Sequence, residues 1–357
     1  LWRCAWLNGQ YDRSNRALCP DPTPTLTAPR SAVIWRGEVS AVWQQLPEGV
    51  VLQQVRLQAG AAIEPIVRAA ATTARVRVEH LVCACTGLPR QDYDWLMEFR
   101  DASADSTLAT LAQMQPTSGF GELYQYSNPL ASAAGYVGGH VFAPGMEKGA
   151  AYDRAMQELV FDPLGMTRTT FDAHQAQAGN HARPHALDID GNNVVTGMDV
   201  NYAIRPMRPA GGAWSSVNDM LRYVRLELDR GRLPDGSRLV SEAVIDERRK
   251  PKVALGNEGA YGMGLIVDRR WDLEMVSHGG SLFGYKSNMI WLPEHGVGAV
   301  ILANSDQASA LLGPFSRRLV ELLFDGAPEA AADVAAAAKT EQEYLASQRA
   351  GVERPAG

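Results

Sequence analysis

The stretch LEMVSHGGSLFGYKSNMIWLPEHGVGAVILAN, from Leu273 to Asn304, decides the fold. Its segments Leu273 to Val276, Ser287 to Leu292 and Gly298 to Asn304 are short and bounded by turn residues, the pattern of antiparallel strands. Pro293-Glu294-His295-Gly296 supplies a hairpin turn between the last two. Just upstream, Tyr261 to Val267 reads as one more strand. Downstream, Leu311, Leu312, Phe315, Leu319, Leu322 and Leu323 fall on one helical face that would cover the sheet and end at Asp325-Gly326. An α+β fold, helices on an antiparallel sheet, is expected.

Working toward the N-terminus, the period changes to helical. Tyr93 to Phe99 and Ser106 to Met114 read as helices. Asn128-Pro129 opens a third that runs to about Val141, with Asn as N-cap and Pro at the first helical position. Tyr152, Met156, Leu159 and Val160 mark an amphipathic helix stopping before Pro163 and Gly165. Ser216-Val217-Asn218-Asp219 has capping-box spacing and opens a helix carrying Met220, Leu221, Val224 and Leu226.

Composition excludes several function classes. The chain has 357 residues, 46% hydrophobic and 21% charged, with 34 Lys+Arg against 40 Asp+Glu and a net charge of −6. That is a globular composition with room for two domains, or for one with a large insertion. Mild acidity without a basic block removes the footprint that nucleic acid or an anionic membrane requires, so neither is an expected partner. No apolar run approaches the roughly 18 residues of a membrane span, and no export signal begins the chain as given. Compartment and oligomeric state stay open. Four cysteines are too few for a disulfide framework, and Cys83 and Cys85 read as too close for an easy bridge.

Residues 1–70 are atypical. Trp2, Trp6, Trp35 and Trp43 mix with Pro20, Pro22, Pro24 and Pro29, and every Lys or Arg before Lys148 is Arg. The segment reads as an N-terminal arm of little order, in which Ala32 to Trp35 and Val50 to Leu57 are short strands or a helix. From Pro328 an Ala-rich tail reads as a weakly amphipathic surface helix without chemistry.

Two stretches can carry chemistry. Tyr126-Ser127-Asn128 places a phenol and an amide just before a helix, whose N-terminal N–H groups favour negative charge; the structural alternative is a core tyrosine beside an N-cap. In Ser277-His278-Gly279-Gly280-Ser281 a strand runs into two glycines, which let backbone N–H groups approach an oxyanion, with His278 beside them. The alternative there is a glycine turn with a satisfied histidine. An α/β-hydrolase is disfavoured because no G-x-S-x-G follows the His278-Gly279-Gly280 stretch. His80, Cys83 and Cys85 lack a fourth metal ligand nearby, and Asp188-Ile189-Asp190-Gly191-Asn192 lacks the closing Glu of a calcium loop and reads as a hairpin turn. No metal or cofactor is expected.

Taken together, in order and about 150 residues apart, the two stretches resemble the serine β-lactamase and DD-peptidase superfamily, particularly its class C-like, β-lactamase-related esterase and peptidase branch. Three further stretches carry the resemblance. His80 to Pro89 is similar to the H-L-L-x-x-T-S-G-L segment, Asp162 to Thr169 to P-L-G-M-x-x-T, and Pro209 to Ser216 to A-G-G-x-x-S-S. The resemblance spans about 72 to 325. It implies a domain over 71–325, with a mainly helical lobe over 76–205 and, over 206–325, a lobe built on a five-stranded antiparallel sheet flanked by helices; 326–357 is the tail.

The resemblance also implies roles. A serine in S-x-x-K attacks an acyl carbonyl, and water releases the acyl-enzyme. Tyr126 takes the place of the Y-x-N tyrosine that helps draw off the serine proton, and Asn128 that of the asparagine holding the lysine and the substrate amide. His278-Gly279-Gly280 replaces K-T-G, with the Ser281 N–H as an oxyanion donor; Asn128, His278 and Gly279 would contact substrate. A neutral imidazole holds a carboxylate less strongly than an ammonium, which argues against efficient β-lactam hydrolysis. One element is missing: no Ser in the 357 residues is followed three positions later by Lys. The expectation is therefore a serine hydrolase of esters, amides or D-amino-acid peptides, inactive in this chain because its N-terminal region is truncated, read in another frame or replaced, or else a catalytically dead ligand-binding module.

Overall fold

The computed structural model describes residues 31–33, 39–46, 49–57, 76–97, 102–256 and 259–351. The proline- and tryptophan-rich start, Cys4 and Cys19 lie outside the described residues, as do 98 and 99 of the helix expected over Tyr93 to Phe99. Within the N-terminal segment the backbone forms three antiparallel strands, β1 (Ser31–Val33), β2 (Val39–Leu46) and β3 (Gly49–Leu57), with a register shift at Val42/Trp43.

Helices of eight residues or more follow the apolar spacing. They are α1 (Ala104–Gln113), α2 (Asn128–Phe142), α3 (Lys148–Met156), α4 (Val217–Leu228), α5 (Glu242–Arg249), α6 (Ser309–Leu323) and α7 (Ala330–Ala350). Caps set their starts. Ser103 accepts from Ser106 N at 3.2 Å and Ser216 from Asp219 N at 3.2 Å. At α2 the cap is Ser127, whose Oγ accepts from Leu130 N at 3.4 Å, so Asn128 becomes the first helical residue rather than the N-cap.

α3 does not continue as one regular helix. Over Gln157–Phe161 the backbone widens to a π turn, which changes the phase of the apolar stripe. Leu159, expected on the buried face, is therefore 49% exposed, and Phe161 is buried in its place.

A hairpin of β4 (His185–Leu187) and β5 (Asn193–Val195) precedes a second sheet, whose strands run in the order β11-β10-β9-β8-β7-β6, all antiparallel. Its strands are β6 (Val253–Leu255), β7 (Gly259–Tyr261), β8 (Ile266–Asp268), β9 (Met275–Leu282), β10 (Tyr285–Leu292) and β11 (Val297–Ala303). This sheet has six strands among the described residues, against the five implied by resemblance. The single strand expected over Tyr261 to Val267 is two, because Gly264 at φ +72° turns the chain between β7 and β8.

Period-two alternation then loads both faces of this sheet. Val276 and Trp291 pack with Val224 of α4 and Leu265 on one face. Met275, Ile290 and Leu292 pack on the other against Phe315 and Leu319 of α6. The tail is held as well: Glu321 accepts from Glu329 N at 2.9 Å and Ala330 N at 2.7 Å, which seats α7 along α6. A separate core, including Leu81, Leu108, Leu111, Leu130 and Tyr136, unites α1 and α2. Tyr136 Oη and Thr107 Oγ1 donate to Pro206 O at 2.6 and 2.8 Å, tying this helical core to the 3-10 turn Asp199–Met207. No helix among the described residues is long and apolar enough to cross a membrane.

Candidate active site

His278 lies in the middle of β9, where Tyr126 reaches it from the segment preceding α2; their ring centroids are 6.3 Å apart. Tyr261, at the end of β7, completes the group and is 6.1 Å from Tyr126 between centroids. Its hydroxyl is 3.0 Å from His278 Nε2, and His278 Nδ1 is 3.0 Å from Gly279 O. A carbonyl only accepts, so Nδ1 carries the hydrogen, and in the neutral ring Nε2 accepts from the Tyr261 hydroxyl. Burial pushes the imidazole down to about 3, so the ring is neutral at pH 7. No spacing rule links Tyr261 to His278; they meet because β7 and β9 flank β8 in the sheet.

Asn128 is fully buried at the start of α2. Its Nδ2 donates to Asp92 Oδ1 at 2.9 Å, and Asp92 pairs with Arg90, whose guanidinium carbon sits 5.1 Å from the Tyr126 ring centroid. Neither Arg90 nor Asp92 was singled out by sequence. Among the described residues Asn128 Oδ1 is buried without a hydrogen-bond partner, a costly condition for a carbonyl oxygen unless another donor meets it.

Gly279 pairs with Asn288 of β10, and a Cβ on it would sit 3.2 Å from Ser287 O. Close approach of the two strands thus accounts for this glycine. Gly280 and Ser281 continue β9 and, with His278, line a cleft of about 820 Å³. Tyr126 and Asn128 are buried and do not line that cleft.

The two other resembling stretches brace its wall. Thr169 Oγ1 lies 2.8 Å from Ser215 Oγ and donates to Asp219 Oδ2 at 2.9 Å, and Arg168 N donates to the same oxygen at 2.7 Å. Thr170 and Trp214 exchange backbone hydrogen bonds at 3.0 and 2.8 Å. The loop over 162–170 and the loop over 209–216 are therefore one unit.

The loop over 80–89 corrects an expectation. Cys83 and Cys85 form a disulfide, made possible because Ala84 adopts φ +53° and the two Cα atoms come within 5.2 Å. Both sulfurs are thereby withdrawn from metal ligation. The bridge packs in a cluster with Tyr126 and Tyr261. Asp188 to Asn192 forms the expected hairpin turn, with Asp188 Oδ1 accepting from Asp190 N and Asn192 N at 2.9 and 2.8 Å.

The fold agrees with comparison to known proteins. The family model described as Beta-lactamase matches residues 49–321, most of the chain and further upstream than the quoted stretches reach. This chain belongs to the beta-lactamase family. Penicillin-binding protein 4 of Amycolatopsis lactamdurans is 26% identical over 179 residues, covering 48% of this chain and 46% of the relative. The unguisins hydrolase ungD' of Aspergillus campestris (strain IBT 28561) is 23% identical over 268 residues, covering 72% and 48%. The chain thus spans about half the length of the curated relatives it matches. Among solved structures, the octameric penicillin-binding protein homologue of Pyrococcus abyssi aligns with a TM-score of 0.62 at 23% identity, covering 76% of this chain and 61% of that one. The D-amino acid amidase of Ochrobactrum anthropi SV3 aligns at 0.55 and 21%, covering 76% and 73%. These likenesses concern the fold.

Proposed function

We propose that this chain carries the acyl-binding part of a serine-hydrolase site, suited to an ester, amide or D-amino-acid peptide, and binds its ligand without forming an acyl-serine. The buried, unpartnered Oδ1 of Asn128 carries this reading. In the family's arrangement that oxygen meets an ammonium or a substrate N–H; here no Ser and Lys in S-x-x-K spacing occur in the sequence. Relatives named as an amidase and a hydrolase support the ester or amide class. In this reading the Ser281 N–H faces the substrate carbonyl oxygen, Tyr126 is the proton-carrying phenol beside it, and Gly279 and His278 shape the wall.

Intact-mass spectrometry after exposure to a fluorophosphonate and to a penicillin tests the proposal. No added mass is expected, while the same penicillin binds reversibly and Asn128→Ala weakens that binding. A covalent adduct would overturn the non-covalent reading, and peptide mapping would name the nucleophile. Binding unchanged in Asn128→Ala would remove this site.

A further inference from the structure

The charges lining the cleft are one-sided. In a chain of net charge −6, no Asp or Glu among the described residues lines it, whereas Arg168, Arg205, Arg208 and Lys286 do. Two of these cations are neutralised from outside the lining: Arg208 Nε donates to Asp153 Oδ1 at 2.6 Å, and Lys286 pairs with Asp306. Arg168 and Arg205 make no ion pair among the described residues.

Arg205 is the better placed of the two. Its guanidinium carbon lies 4.4 Å from the Tyr202 ring centroid, and the Tyr202 hydroxyl accepts from Gln177 Nε2 at 3.2 Å. Its own carbonyl accepts from Arg208 Nη1 at 2.9 Å, which fixes the turn that carries it. A guanidinium stacked on a ring keeps its charge and its planar fork, the geometry that matches a carboxylate. Walls without carboxylates raise the local concentration of anions. The cleft also contains an aromatic corner, where Trp214 and Tyr285 meet edge to face at 5.8 Å. His278 is not a competitor for the anion, because Tyr261 and Gly279 O engage both of its ring nitrogens.

We propose that the cleft takes a carboxylate-bearing ligand with an apolar or aromatic body, the carboxylate held by Arg205 and the body resting on Trp214 and Tyr285. This deepens the proposed function, since it rests on the cleft lined by His278, Gly280 and Ser281 being the open side of the acyl-binding site whose buried side holds Tyr126 and Asn128, and it assigns anion recognition to a residue outside the five resembling stretches.

An NMR titration of the whole chain with 4-phenylbutyrate and its uncharged analogue 4-phenylbutyramide tests it. At low ionic strength the acid binds at least tenfold tighter than the amide, and added salt narrows the gap. Arg205→Gln brings the acid to the affinity of the amide, while Arg205→Lys keeps part of the preference. Equal affinities, no binding of either compound, or a preference that survives Arg205→Gln each overturn the assignment. Arg205 is exposed, so the substitution leaves the core untouched, and a thermal melt checks this. The outcome is separable from the mass experiment: an adduct with the acid preference intact removes only the non-covalent reading, and a lost preference without an adduct removes only this one.

Discussion

Two buried polar clusters treat their acceptor oxygens differently. Between α4 and α5, Glu227 is completely buried, yet Arg248 reaches Oε1 at 2.5 Å, Arg249 reaches Oε2 at 3.1 Å and the Tyr223 hydroxyl donates at 3.0 Å. Burial pushes the Tyr223 phenol up to about 12, so it stays a donor. At the other cluster, Asn128 keeps an oxygen without a donor, and His278 is held neutral. In the first cluster both carboxylate oxygens of Glu227 are met and the network fastens two helices, although Arg249 Nε is buried without a partner among the described residues. In the second, Asn128 Oδ1 is unmet among the described residues, and the proposed ligand site rests on that oxygen.

Substitutions separate the two clusters by size of effect. Glu227→Ala strands two arginines in a buried setting and should cost about 3–5 kcal/mol in a urea unfolding experiment; a loss under about 1 kcal/mol would mean the Glu227 network is not structural. A pH series gives the next effect. The folded His278 binds its proton far less readily than an unfolded histidine near 6.5, so the unfolded chain holds more protons between these values. Its contribution is therefore complete above pH about 6.5 and is lost as pH falls toward 3. The slope is up to about 1.4 kcal/mol per pH unit, and His278→Gln should flatten the curve by that amount.

Tyr261→Phe removes the donor to Nε2 and should cost about 1–2 kcal/mol. Nitrogen NMR of His278 should then show the Nδ1–H tautomer losing its dominance; an unchanged spectrum would detach Tyr261 from the imidazole. Asn128→Ala is the mildest for stability, at about 1 kcal/mol, because only the bond to Asp92 is broken. Its loss of penicillin binding should be out of proportion to that small change.

Much of this arrangement was legible in the residues themselves. The strands over Ser287 to Leu292 and Gly298 to Asn304, the Pro293 to Gly296 turn and the cap at Ser216 follow from local chemistry and form near the expected bounds, whereas the strand expected over Leu273 to Val276 runs over Met275–Leu282, through both glycines. Local chemistry fails where tertiary contact decides. Leu322, expected on the covered face of α6, is 63% exposed, while Phe315 and Leu319 alone of that stripe reach the sheet cluster. The short β6 and the partnership of Tyr261 with His278 depend on pairing across the sheet, which no single window of sequence contains. Arg205 was invisible for another reason: a cation becomes a recognition group only through the absence of acids around it in space.

The Cys83–Cys85 bridge closes a loop with one residue inside it. Cross-links limit the unfolded chain in proportion to the logarithm of loop length, so a bridge this short adds little to overall resistance to unfolding. What it constrains is its neighbourhood: Ala84 O accepts from Gln125 N at 2.8 Å, one residue before Tyr126, and Cys85 O from Gly121 N at 2.7 Å. A melting curve is thus a poor instrument for this bond. The presence or absence of a thiol reductant in the buffer becomes a variable of ligand binding, to be fixed before any two affinities are compared.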